Sequence, residues 1–444
     1  MELACSDAVW ASLCRREWGS QAAEVEPIVN RVKGGWKEIC RQLSTLQSAH
    51  WQQLPSGEQG PCRRASHSLL VADGKLVTIA GGCDGGRDLD DTWIADPGPL
   101  IQRPDDPPSL TWHLASAGEV PGRFGQCSVG VPERHTIVIF GGINDRGLRL
   151  NDTWAFDDVA GRGNATWRKL ILPQAPAPRG APGGCFGGDQ KVVVFGGLSQ
   201  DNARYADTWI LDFALEPLSW RKVETDSGPQ ARSGHTMTWL GDGRIVLFGG
   251  RNMVFEMLND VWVLDMNAPG GPKWQEIWSP ERYPSDDAPV ARSGHTATAV
   301  LGGKVIVIGG EDMSRNRKGD VWLLDPDAGS APEKPLEAES AHTANGAGET
   351  LLDGPLTLGG APIENGNLDT AGVVPEVATT PPRKVWQRLA VAGPSPSRRS
   401  FHAAVRLAGS SILLFGGMVD GELLPGQAGG LKFDDELWLL NLVG

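Results

Sequence analysis

The chain has 444 residues, 40% of them hydrophobic, which is ample for a sizeable folded core. Its formal net charge of −13 lacks the basic footprint of a nucleic-acid binder. No apolar run reaches the ~18 residues of a membrane helix, no signal-peptide pattern opens the chain, and seven cysteines form no C-x-x-C pair; cytoplasm or nucleus is the expected compartment.

The first predicted elements are helical. Ser6 or Asp7 is placed to cap a helix in which Trp10, Leu13, Cys14 and Trp18 recur at helical spacing. This gives one segment over 1–20. A second apolar set, Val29, Val32, Trp36, Ile39, Cys40, Leu43 and Leu46, predicts a helical linker over 21–49.

From residue 50 the pattern changes. Glycine pairs begin at 81, 141, 196, 249, 309 and 416, after the strand-like runs KLVTIA, TIVIF, KVVVF, RIVLF, KVIVI and SILLF. An arginine stands 17 or 18 residues before each pair: Arg64, Arg123, Arg179, Arg232, Arg292 and Arg399. An acidic-x-Trp triplet follows each pair, ending at Trp93, Trp154, Trp209, Trp262, Trp322 and Trp438. A further tryptophan then opens a short strand: Trp112, Trp167, Trp220, Trp274 and Trp386. Each copy reads as four strands: a after the arginine, b before the glycines, c at the triplet and d at the later tryptophan. Such a sheet cannot bury both faces alone, whereas six of them stacked around an axis can. The expectation is a six-bladed β-propeller over 50–444. The last copy has no strand d downstream, but Trp51-Gln52-Gln53-Leu54 matches WRKL at 167–170 and WQRL at 386–389. It is expected to complete the sixth blade. Residues 326–383 contain no aromatic residue and are rich in Ala, Gly, Pro, Thr and Glu, which predicts a disordered insertion between strands c and d of blade five.

The double glycine, the Asp-x-Trp triplet and the later tryptophan resemble the kelch family over almost nine-tenths of the chain. Asp7-x-x-Trp10-x-x-Leu13-Cys14-x-x-x-Trp18-Gly19 resembles the closing segment of an F-box. The Leu-Pro element and first helix with which an F-box opens have no counterpart in the residues ahead of Asp7. The order of these parts resembles plant F-box/kelch-repeat proteins and the C-terminal part of the LOV/F-box/kelch light receptors. The resemblance implies an all-β, six-bladed kelch propeller preceded by a short α-helical segment. It further implies a substrate-recognition subunit of an SCF-type ubiquitin ligase. Target proteins would then bind the propeller, and the SCF adaptor and cullin would be reached through a docking remnant at Trp10, Leu13 and Trp18. The alternative is a kelch scaffold or competitor that binds targets without ligase assembly.

Catalytic patterns are not apparent. The sequence has no phosphate loop, nucleophile elbow or H-E-x-x-H. His67, His235, His295 and His402 each follow a repeat arginine by three residues, so they read as core or hydrogen-bonding positions of the repeat. Copper-radical kelch oxidases need tyrosine ligands, and the tyrosines here are Tyr205 and Tyr283. The E-x-x-x-D-x-x-x-H pattern of iron-associated kelch proteins stops at Glu256 and Asp260, with Leu264 in the histidine place. No enzymatic activity, cofactor or metal is expected.

The six repeat arginines have two readings. Each pairs with the nearby acid of its triplet, or some remain free to fork onto carboxylates of an acidic peptide. The second reading is similar to what arginines at this position do in some kelch substrate adaptors. It makes Arg64, Arg123, Arg179, Arg232, Arg292 and Arg399, with Arg251 and Arg315 of the b–c loops, candidate target-binding residues. It also expects Arg232→Ala with Arg292→Ala to abolish binding and spare the fold. Blade six has the longest b–c loop, 418–435.

Overall fold

The computed structural model describes all residues except 1–6, 30–31, 56–58, 73, 80, 99, 101–109, 158, 160–164, 285–286, 331–383, 408–409, 422–429 and 444. Three helices come first: α1 (Asp7–Trp18), the single turn α2 (Glu26–Val29) and α3 (Gly35–Thr45). Of the two cap candidates, Ser6 lies outside the described residues and Asp7 is the first residue of α1. Asp7 Oδ1 accepts the backbone N–H of Trp36, 2.7 Å away, and so satisfies an unpaired donor in the first turn of α3.

Five four-stranded antiparallel sheets and one five-stranded sheet, which includes the short Arg399–Ser400, form six blades among the described residues, and a two-stranded ladder stands beside blade four. Taking blade three as the pattern, strand a is Gly183–Phe186, b is Lys191–Phe195, c is Thr208–Asp212 and d is Trp220–Val223. Strand b of blade two, Thr136–Phe140, is buried at every residue, because the sheets on both sides cover it. Inner strands a pack against one another around the axis, including blade one against blade six. The sixth blade joins both ends of the repeat region. Its strands a, b and c are Ala403–Leu407, Ser411–Asp420 and Leu431–Asn441, and its strand d is His50–Leu54. Trp51 lies opposite Leu440 and Leu54 opposite Leu437, which is the closure read from the W-x-x-L match.

Two expected boundaries change. In blade six both ends of the expected loop over 418–435 continue the sheet, with Met418 opposite Phe433 and Asp420 opposite Leu431, and 422–429 lies outside the described residues. In blade five, residues 326–330 form a 3₁₀ turn whose Ala328 packs on the core; the rest of the expected insertion, 331–383, lies outside the described residues.

The glycine pairs are required by a neighbouring backbone. Gly196 has φ 64°, and a Cβ there would lie 2.6 Å from the carbonyl oxygen of Arg232 in the next blade. The following N–H, of Gly197, donates to that same oxygen at 2.9 Å. This blade-to-blade bond recurs around the ring, from Gly82 to Arg123, Gly142 to Arg179, Gly250 to Arg292, Gly310 to Arg399 and Gly417 to Arg64.

The outer strand supplies a second latch. The strand d indole N–H of Trp167 donates to Thr92 Oγ1 in strand c of the preceding blade, as Trp220 does to Thr153 and Trp274 to Thr208. In blade four Val261 occupies the threonine position, and the buried Nε1 of Trp386 has no partner among the described residues. A buried donor left unpaired costs more than a hydrogen bond contributes on average. Val261→Thr is therefore expected to stabilise the propeller by about 1 kcal/mol in urea unfolding. A loss of stability would mean that the valine methyl matters more than the missing acceptor.

Candidate functional site

Strand a starts, and strand b ends, at the same end of every blade, so the repeat arginines and the b–c loops share one face of the ring. The arginines themselves are not on its surface. All six are 0–1% exposed. Arg64 donates from both terminal nitrogens to Asp91, each at 2.8 Å, and the same fork joins Arg123 to Asp152, Arg179 to Asp207, Arg232 to Asp260 and Arg292 to Asp320. Arg399 meets Glu436 at 3.0 Å and Asp434 at 3.3 Å. Each Nε donates to a carbonyl two residues earlier, and in five blades Nη1 also reaches the first glycine's carbonyl, as Arg179 does to Gly196. Buried and already forked onto a carboxylate of their own blade, these guanidiniums are closed to a partner. The reading of Arg64, Arg123, Arg179, Arg232, Arg292 and Arg399 as free target-binding groups is corrected: they are structural clamps.

The triplet tryptophan completes each clamp. Its indole N–H turns back to the carboxylate two residues earlier, as Trp209 does to Asp207 at 2.7 Å. Burial opposes ionisation of Asp91, Asp152, Asp207, Asp320 and Glu436. The facing guanidinium and indole outweigh it and hold these carboxyls below their usual range.

Just inside the arginines, six backbone hydrogen bonds close a circle about the axis. Ser66 N–H donates to Phe401, Gly125 to Ser66, Ala181 to Gly125, Gly234 to Ala181, Gly294 to Gly234 and Phe401 to Gly294. His67, His235, His295 and His402 line the central well of about 240 Å³. Burial, then the neighbouring repeat arginine, pushes His235, His295 and His402 down to about 3 and His67 well below its ordinary value. They are neutral at physiological pH. Among the described residues no cluster of three His, Cys, Asp or Glu side chains is placed to hold a metal ion.

The accessible chemistry of this face lies in the b–c loops. Arg315 is exposed, and with Glu311, Arg317, Phe401, Met418 and Leu431 it lines a groove of about 600 Å³ between blades five and six. Arg251 is half-buried at the start of its loop, where Met253, Val254 and Phe255 are exposed. Three further arginines escaped the sequence reading: Arg149, Arg204 and Arg317. Each stands eight residues after its first glycine and reaches across to the next blade, to Asn202, Ser233 and Asp420 respectively. Their common offset was the available signal.

The other candidate group lies at the opposite end. Cys14 of α1 and Trp36 and Ile39 of α3 form a cluster with Leu301, in the a–b turn of blade five. Trp10 and Trp18 are half-buried against that cluster, and Leu13 is half-buried on α1. Burial, then Cys40, pushes the Cys14 thiol up to about 12, so it is an unreactive core residue.

The profile of the KLHDC2/KLHL20/DRC7 Kelch-repeats domain matches residues 105–286 and 163–340. An F-box/kelch-repeat protein of Arabidopsis thaliana is 34% identical over 99% of this chain and 86% of its own length. The chain belongs to the F-box/kelch-repeat family. Putative adagio-like protein 2 of Oryza sativa subsp. japonica is 28% identical over 72% of this F-box/kelch-repeat chain, which spans about half the length of that relative. The solved structure of YjhT superposes with a TM-score of 0.53 at 14% identity, covering 85% of this chain and 95% of that one, which speaks to the fold alone. No described helix is long and apolar enough to cross a membrane.

Two expectations follow for this F-box/kelch-repeat propeller. Arg292→Met leaves Asp320 buried without its counter-charge, so urea unfolding should show a loss of about 3–5 kcal/mol. Unchanged stability would return that arginine to the candidate binding residues. Secondly, the unfolded chain takes up protons near pH 6.5 that the folded histidines refuse until about 3. Their contribution to stability is complete above the unfolded value and falls away as pH drops from 6.5 towards 3, by up to about 1.4 kcal/mol per unit per histidine. The clamp carboxyls, held low, add a further loss below about pH 4. His235→Gln should flatten the urea midpoint profile between pH 6 and 4; an unaltered slope contradicts this account.

Proposed function

We propose that this chain is the substrate-recognition subunit of an SCF-type ubiquitin ligase, binding target proteins on its b–c face. The observation that carries this reading is the placement of its two ends. The helices sit on the a–b side of blade five, and the b–c face points the other way with its apolar tips uncovered. A target held there would keep a fixed orientation relative to whatever binds α1, because α1 and α3 pack into one core with the blade. Family membership supports the same division of labour. In this reading the chain carries out no bond chemistry; partner enzymes transfer ubiquitin.

Affinity purification from native cells with mass spectrometry tests both ends. The wild type should recover an SCF adaptor and a cullin together with target proteins. Leu13→Arg should reduce adaptor recovery by about tenfold or more, as expected for a residue at the centre of a contact, while targets remain. Phe255→Glu should do the reverse. Targets recovered without adaptor or cullin would establish a free-standing kelch binder instead.

A further inference from the structure

We propose that Arg204 and Arg251 form an oxyanion site, the seat for a carboxylate or phosphate group carried by a target segment; this rests on the b–c face being the target-binding face. The three arginines at the eighth position after the first glycine invite direct comparison. Arg149 Nη2 donates to the Asn202 side-chain oxygen at 3.0 Å, and Arg317 is ion-paired with Asp420. Arg204 reaches over the same junction and meets no carboxylate among the described residues. There its Nε has the Ser233 hydroxyl, at 3.3 Å, and its Nη1 is buried with no acceptor. Ser233 lies opposite Arg251 in the short ladder that joins Arg232–Ser233 to Arg251–Asn252. This brings a second guanidinium to the same place, and the buried Nε of Arg251 also has no acceptor among the described residues.

Arg204 is only 8% exposed, so little water screens it. Burial and then the Arg251 charge lower its basicity, which is the sign of a cation facing a cation. Glu256, in the same loop as Arg251, has one carboxylate oxygen engaged by Asn252. Two guanidiniums and a hydroxyl converging without a counter-charge match the fork geometry with which arginine grips oxyanions. The surroundings define the neighbour of that anion. The Arg204 guanidinium lies over the Phe255 ring, 4.8 Å from its centre, and Met253, Val254 and Phe255 stand exposed beside it. The target segment thus carries an acidic or phosphorylated residue next to an apolar one.

The test uses the full chain and inorganic ions, and so does not depend on knowing the target. Thermal unfolding is followed in sodium chloride, sodium acetate and sodium phosphate at equal ionic strength. Phosphate at about ten times its dissociation constant should raise the wild-type midpoint by about 2 °C over chloride. Arg204→Met and Arg251→Met keep much of the side-chain volume and remove the repulsion. Both should be at least as stable as wild type in chloride, and both should lose the gain. A gain with phosphate alone points to a phosphorylated target, and a gain with acetate as well points to an acidic one. An equal gain in all three proteins, no gain in the wild type, or marked destabilisation of both variants in chloride overturns the proposal. Intact anion binding without adaptor recovery would overturn only the ligase reading.

Discussion

The fold depends on one arginine per blade acting in two directions. Its guanidinium fastens strand a to the acidic residue of strand c within the blade, and its carbonyl oxygen receives the second glycine of the preceding blade. A lysine could neither make the paired bonds to the carboxylate nor reach a carbonyl at the same time. Burial makes the arrangement unforgiving, since the arginine lacks water as a substitute partner. The glycine pair is the same constraint seen from the other blade, because only a residue without Cβ approaches that carbonyl so closely. Hence arginine, glycine pair and acidic-x-Trp recur in fixed phase while the residues between them drift.

That phase is why the architecture was legible. Period, strand order, blade number and the Trp51–Leu54 closure all follow from features repeated in the chain, and repetition multiplies weak signals. The arginines illustrate the converse. Their spacing marks them as important, yet spacing does not say whether a cation faces solvent or a buried carboxylate. The alternative of internal pairing, already present in the Asp-x-Trp phase, is the one the structure bears out for all six. The site residues that escaped notice, such as Arg204, differ from blade to blade at a shared offset. The contacts that such departures make depend on which side chain the next blade supplies. The helical segment was partly legible: its apolar spacing predicted helices, but Asp7 meeting α3 and Leu301 joining the cluster are contacts between distant stretches of chain.

The two faces of the ring divide the tasks. On one side, short turns and packed helices fix geometry. On the other, the b–c loops hold exposed Met253, Val254, Phe255, Met313 and Leu431 above a saturated layer of clamps. Because that layer is buried and paired within each blade, substitutions in the loops need not enter the network that keeps the blades together. Rigid scaffold and variable rim are separable here for a physical reason: the six repeat arginines are each paired below the rim.

The sixth blade gives this molecule an order in time. During synthesis His50–Leu54 leaves the ribosome before the strands of the other five blades, while the strand it pairs with, Leu431–Asn441, follows all of them. Until then the nascent chain carries a strand edge whose partner does not yet exist, together with a ring whose first and last blades cannot touch. Such an edge is open to pairing with other chains. Helix α3 ends five residues before that strand, and its neighbour Leu301 also arrives before the closing hairpin. The helical cap seated on blade five thus tethers the closing strand within a few residues of its own anchor, so the chain end that must find its partner last is not free to wander.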